Sequence, residues 1–163
     1  MLTLVNEKDE KIGEMPKLEA HQKGLLHRAF SIFIFNSKKE LLLQQRAFNK
    51  YHSAGLWSNT CCSHPLPDED ILYAANRRLF EEVGLKVSLK FQFKFQYKVN
   101  FNNQLFEHEI DHVFVGFSDE IPKINKFEIN DYKFVKLRNV KKDIKRNPSN
   151  YTEWFKIILN RYL

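Results

Sequence analysis

The residues with most chemical potential are few and closely spaced. In "FEHEIDHVF" two glutamates, Glu107 and Glu109, stand two positions apart, and in "NTCCSHP" the only two cysteines, Cys61 and Cys62, precede a histidine and a proline. On an extended chain alternate residues share a face, so both carboxylates point the same way, about 7 Å apart. Asp111 and Val113 continue that face, while Phe106, His108, Ile110 and His112 form the other. Paired acids on a strand are most often a wet face. A second account draws on His21, His27 and His64, expected in loops or at strand ends: imidazoles with carboxylates suit a divalent transition metal such as Zn²⁺, Mn²⁺ or Fe²⁺. Each histidine alone reads as a surface or capping residue. Neighbouring cysteines close only a small strained ring, and two cannot staple a chain of 163 residues, so reduced thiols are expected.

Two further groups of charge carry alternatives. Glu81 and Glu82 fall in the last turn of a helix, where the dipole disfavours anions; Glu82 either points inward beside a cation or pairs on the surface with Arg78, four residues earlier. Lys17, Arg46 and Lys50 either clamp a phosphate or are solvated loop charges. "KFQFKFQYKV" reads either as aromatic and basic residues interleaved for single-stranded nucleic acid or as a strand with a buried aromatic face. All its aromatics fall on one side, which favours the buried face.

These groups need strands and helices to position them. "LTLVN" and "KIGEMPK" flank a polar turn as a hairpin, and "HRAFSIFIFNS" and "ELLLQQR" read as strands around "SKK". "DEDILYAANRRLFEEVG" predicts a helix with an apolar stripe of Leu72, Ala75, Leu79 and Val83, closed by Gly84. Strict alternation at Leu89, Phe91, Phe93, Phe95, Tyr97 and Val99, then "NN", predicts a long hairpin. The tail adds a strand and one or two helices, the last capped by Ser149 or Asn150. With no repeat, low-complexity tract or linker, residues 1–163 are expected to form a single α+β or α/β domain, a mixed β-sheet sandwiched between helices. No apolar run is long enough to cross a bilayer and no secretory signal is visible, which places the chain in the cytoplasm with no membrane partner. The net charge of +6 suits an anionic partner, but composition does not choose between a phosphorylated metabolite, a nucleic acid and a merely solvated surface.

In order, "KLEAHQKGLLHRAFS", "LLLQQRAFNKYHSAGLWSNTCCSHP", "RRLFEEVG", "FEHEIDHVF" and "YTEW" resemble the type I isopentenyl-diphosphate isomerases, a branch of the Nudix superfamily, from about Lys17 to the end of the chain. "WSNTCCSHP" is the most specific of these segments. The resemblance implies a Nudix fold and conversion of isopentenyl to dimethylallyl diphosphate through a tertiary carbocation. It implies Cys62 and Glu109 as catalytic residues. One tightly bound divalent ion, Mn²⁺ or Zn²⁺, would sit on His21, His27, His64, Glu107 and Glu109. Glu82 would hold Mg²⁺ with the substrate diphosphate, Lys17, Arg46 and Lys50 would bind that diphosphate, and Tyr97 and Trp154 would line the pocket. The implied partner is a small diphosphate, not a nucleic acid, and the chain would be a monomer or weak dimer. Ser63 departs from the glycine carried by relatives, which bears on the Mg²⁺ site. The neighbouring alternative is a Nudix hydrolase of nucleoside diphosphate derivatives, but Arg78 stands where that box requires a metal-binding glutamate. The resulting expectation is a thiol and a carboxylate facing each other across one small apolar cavity, with a basic grip at its mouth and an aromatic residue, Trp154, Tyr97 or Trp57, beside the cation.

Overall fold

A computed structural model describes all 163 residues. The first hairpin forms as expected, β1 (Leu2–Val5) against β2 (Lys11–Met15), both antiparallel. Helix α1 (Lys17–Lys23) follows and ends at Gly24, whose φ of 64° is a left-handed conformation that favours glycine. This short helix carries His21, which therefore lies in a helix rather than a loop.

Strands β3 (His27–Phe35) and β4 (Glu40–Arg46) flank the predicted turn, but they pair at one register only, Phe35 with Leu41. Beyond it they part. β3 runs parallel to β8 (Phe106–Phe117), from His27 opposite Glu109 to Phe35 opposite Phe117, while β4 runs antiparallel to β9 (Ile129–Lys136). β5 (Trp57–Ser58) follows β4, and β6 (Cys61–Ser63) follows β3. The two residues between β5 and β6 bridge the split: the Thr60 hydroxyl donates to Leu42 O at 2.6 Å and accepts from Ile34 N at 2.9 Å. Buried polar backbone between diverging strands must find partners, and "SNT" supplies them.

β3 alternates between two cores. Phe30, Ile32 and Ile34 face Ala75, Leu79 and Val83 of α2 (Ile71–Val83), while Phe33 packs with Phe155 and Ile158 of α4 (Glu153–Tyr162) and Val140 of α3 (Leu137–Arg146). The nine-stranded mixed sheet is thus sandwiched between helices, as the pattern predicted. Each fully buried Phe, Leu or Ile contributes roughly 1.5–3 kcal/mol relative to exposure, so neither face is dispensable. No helix is long and apolar enough to cross a membrane.

Three local expectations are corrected. On α2 Leu72 is exposed, and Ile71 and Ala74 take its place on the buried stripe; the helix starts at Ile71 behind Asp70, whose carboxylate caps Tyr73 N at 3.0 Å, and that phase turns Leu72 outward. In β7 (Lys90–Asn100) the alternation breaks at a bulge between Phe91 and Phe93. An extra residue swaps the faces: Phe91 packs beside His112 and Phe114 and stays half exposed, while Phe93, Phe95 and Tyr97 belong to the other core. Finally, Ser149 and Asn150 lie in a 3₁₀ turn, and Thr152 occupies the cap of α4 without a capping hydrogen bond. Its hydroxyl lies 2.8 Å from Ser58 Oγ instead, tying α4 to the "SNT" crossing.

Candidate active site

Four elements bring one cluster together: α1 supplies His21, the first residue of β3 is His27, His64 follows β6, and β8 carries Glu107. Their ligating atoms all lie within 4.8 Å of one another. His21 Nδ1 donates to Lys17 O at 2.6 Å and His27 Nδ1 to Leu25 O at 2.9 Å, which leaves each Nε2 facing the cluster. His27 Nε2, His64 Nε2 and Glu107 Oε2 are buried and have no hydrogen-bond partner. Orphaned lone pairs converging on one point are costly unless a cation takes them. Burial pushes His27 down to about 4 and His64 well below its usual range, so both are neutral imidazoles, the form a metal needs. Burial would raise Glu107, but hydrogen bonding with Glu109, His21 and His52 holds it low. The donor set fits a divalent transition metal.

Glu109 stands beside this cluster. Its Oε2 lies 3.5 Å from His64 Nε2, and its Oε1 accepts from Tyr97 Oη at 2.7 Å across the β7–β8 pair. Burial first, then the charge of Glu107, pushes its carboxyl well above the usual range. Asp111, next on the same face, accepts from Ser31 Oγ at 2.7 Å; burial raises it to about 7.

The adjacent cysteines turn to opposite sides of β6. Cys61 is fully buried in the α2 core and donates to Glu82 Oε2 at 2.8 Å, so it does more than pack. Cys62 lines the cavity. Its thiol donates to Asn59 Oδ1 at 3.0 Å, and its sulfur accepts from Trp154 Nε1 at 3.0 Å. Asn59 is itself locked, because its amide nitrogen donates to Ile32 O and Cys61 O, both at 3.1 Å, and only its oxygen remains for the thiol. Ser31 Oγ lies 3.8 Å from the sulfur and so stands between Cys62 and Asp111. Burial, then the charge of Asp111, pushes the Cys62 thiol up to about 12.

Cys62 and Glu109 open onto one cleft. Its lining also includes a basic group, Lys17, Arg46, Lys50 and Arg78. Lys50 pairs with Glu128, and Arg46 lies over the Trp154 ring, 5.2 Å from its centre. Burial and the neighbouring Lys50 and Arg46 charges push Lys17 down, the mark of a cation cluster short of anions. Glu82 is buried and lines the same cleft, where Arg78 Nη2 reaches it at 3.5 Å; Arg78 also bonds the exposed Glu81 at 2.7 Å. The inward account of Glu82 therefore holds and the surface pair with Arg78 does not, because that helix face packs against β6 and Arg78 finds its surface partner in Glu81.

All thirteen roles assigned from sequence thus fall on residues in or against one cavity. Trp57 does not: it packs on the α4 core with Lys133 over its ring. The cavity is also less apolar than expected, since only four of its eighteen lining residues are hydrophobic; acids, imidazoles and bases make up most of its wall. Sequence reasoning passed over His52, Ser31, Asn59 and Glu128. Asp111 was visible as the next position on the glutamate face, but the others sit in a loop, a core strand or a crossing, where no periodicity marks them.

Comparison with known proteins agrees with this geometry. A model of the NUDIX domain matches residues 25–155. The chain is 48% identical to an isopentenyl-diphosphate Delta-isomerase of Pectobacterium atrosepticum over 98% of this chain and 89% of that protein. It is 51% identical to an isopentenyl-diphosphate Delta-isomerase 2 of Photorhabdus laumondii, covering 98% and 90%. Among solved structures, a Deinococcus radiodurans protein superposes with a TM-score of 0.81 over 99% of both chains at 18% identity, and a MutT protein of Methanosarcina mazei with 0.69 over 83% and 91% at 21% identity, which speaks to fold alone. By these likenesses the chain belongs to the isopentenyl-diphosphate Delta-isomerases, and its fold is that of the NUDIX domain.

Proposed function

We propose that this chain interconverts isopentenyl and dimethylallyl diphosphate. The observation that carries the reading is the placement of Cys62 and Glu109, from different strands, on one cavity that basic side chains also line. Moving the double bond requires a proton to be added at one carbon and another removed two carbons away, with a tertiary cation between. An alkene is a very weak base, so donor and acceptor must be held in contact with it and water kept out. Cys62 and Glu109 form that pair. The sulfur is oriented by the Trp154 indole and the locked Asn59, and the carboxyl by the Tyr97 hydroxyl. Burial raises both groups in the free protein, and one of the two must lose its proton before the pair can act, which a cation held at Glu109 would favour. Trp154 and Tyr97 flank the developing cation, a contact worth about 2 kcal/mol once desolvated.

Lys17, Arg46 and Lys50 hold the diphosphate, and Glu82 holds Mg²⁺ with it. His21, His27, His64, Glu107 and Glu109 hold a tightly bound Mn²⁺ or Zn²⁺. Such an ion supplies a fixed positive charge that tunes the acidity of a carboxylate it touches. The hydrolase alternative loses ground at Arg78, which occupies a position where hydrolysis needs an acid and ties up Glu81 and Glu82 instead.

The test is incubation of purified protein with isopentenyl diphosphate and divalent metal in D₂O. Deuterium in the recovered allylic isomer is expected; phosphate or nucleotide release without isotope incorporation would replace this reading with hydrolysis.

A further inference from the structure

His52 has no role in the site as assigned so far, yet it is buried against the cluster. It sits in the loop between β4 and β5, 7% exposed, with Nε2 2.7 Å from Glu107 Oε1. Glu107 uses its two oxygens differently. Oε1 lies 3.0 Å from His21 Nε2 as well as beside His52, whereas Oε2 has no partner and faces His27 Nε2 at 3.9 Å. The His52 nitrogen is not among the four groups whose ligating atoms converge within 4.8 Å. Its other nitrogen, Nδ1, lies 3.1 Å from Ser53 Oγ; a hydroxyl donating there leaves the proton on Nε2, where it meets a carboxylate that can only accept. The ring is clamped: Phe101, at the tip of the β7–β8 hairpin, stacks on it with centroids 4.8 Å apart and planes 11° apart, and His21 stacks at 5.6 Å and 29°.

We propose that His52 is a positioning residue for the metal site, its Nε2–H pinning Glu107 Oε1 so that Oε2 is presented to a divalent ion. The inference rests on reading the histidine–carboxylate cluster as that site. Once His21 Nε2 turns to an ion, His52 is the donor that remains on Oε1. Outer partners of this kind fix the orientation of a ligating carboxylate, and their loss typically costs 10- to 100-fold in metal affinity. The stack with Phe101 ties this positioning to the tip of the β7–β8 hairpin.

The experiment titrates metal-stripped protein with Co²⁺ in competition with a chromophoric chelator, for wild type, His52→Phe and His52→Gln. Phenylalanine keeps the stack and removes the donor; glutamine restores an N–H near the Nε2 position. Expected are one tight site in wild type, roughly 10- to 100-fold weaker binding for H52F, near-wild-type binding for H52Q, and the same visible Co²⁺ spectrum per bound ion in all three. An H52F affinity within about twofold of wild type, no recovery in H52Q, or a changed Co²⁺ spectrum that marks His52 as a direct ligand would overturn the positioning role while leaving the site. Wild-type protein without a Co²⁺ site would overturn the metal reading and this inference together.

Discussion

Two groups of side chains on the cavity are built on opposite principles. At the histidine cluster the side chains come from α1, β3, β8 and the residue after β6, and backbone carbonyls fix the His21 and His27 rings so that their Nε2 atoms face one point. In the basic group the cations come from the start of α1, the end of β4 and the loop after it, and they hold themselves apart with Glu128, the Trp154 face and the carbonyl of His52. The first is organised before any ligand arrives and suits a compact ion. The second is a set of long side chains in which burial and neighbouring charges push Lys17 down, an arrangement that, under the proposed function, an incoming diphosphate would relieve. Preorganisation fits a site that must hold one compact ion, and flexible charge one that must grip and release a substrate.

Cys62→Ala should break the contrast most severely: loss of a positioned proton-transfer group costs about 10²–10⁴-fold, so kcat should fall by that order while the unfolding midpoint stays near wild type. Preserved turnover would remove the thiol from the chemistry. Next comes the pH dependence of the same thiol. A group raised to about 12 is protonated throughout the neutral range, and its reactive thiolate appears only as pH climbs toward that value. Set against an ordinary thiol near 8.5, and allowing for the greater nucleophilicity of a more basic thiolate, iodoacetamide should label Cys62 about 100-fold more slowly than free cysteine at pH 8, in a Cys61→Ala background. Rapid labelling at pH 8 would show a thiolate that the metal-free cavity does not sustain.

In the basic group Lys17→Ala should raise KM by about tenfold with a smaller change in kcat, since a charge-assisted contact to the diphosphate is worth roughly 1.5–3 kcal/mol and acts in ground and transition states alike. An equal fall in kcat at unchanged KM would move Lys17 from gripping to chemistry. The smallest effect belongs to the tether between α4 and the "SNT" crossing. Thr152→Val removes the hydroxyl that meets Ser58 and should lower stability by about 1 kcal/mol in urea unfolding, with Cys62 kinetics nearly unchanged.

Much of the fold was legible because one-dimensional patterns carry it. Asp70 and Gly84 bracket α2 by chemistry that acts within a few residues, and the alternation of β7 from Phe93 to Val99 records one buried face. The pattern misled where a single residue shifts phase, at the β7 bulge that turns Phe91 out of the core, and where an N-cap sets the helix start, which exposes Leu72. A bulge leaves no mark in composition, and periodicity resumes on either side of it.

By itself the chain determined which side chains have the reactivity for metal binding, proton transfer and phosphate grip, and, through spacing, that Glu107 and Glu109 share a face and Cys61 and Cys62 do not. Only the tertiary structure decided that β3 leaves β4 to lie beside β8, so that residues from 17 to 154 meet around one cleft. The same split opens the gap that "SNT" fills and fixes the Asn59 oxygen on the Cys62 thiol. It also brings His52 onto Glu107 across 55 residues of sequence. Spacing along a chain encodes only the neighbours within a strand or a turn of helix; contacts between strands are selected by burying both faces of one sheet at once, and that is a property of the whole fold.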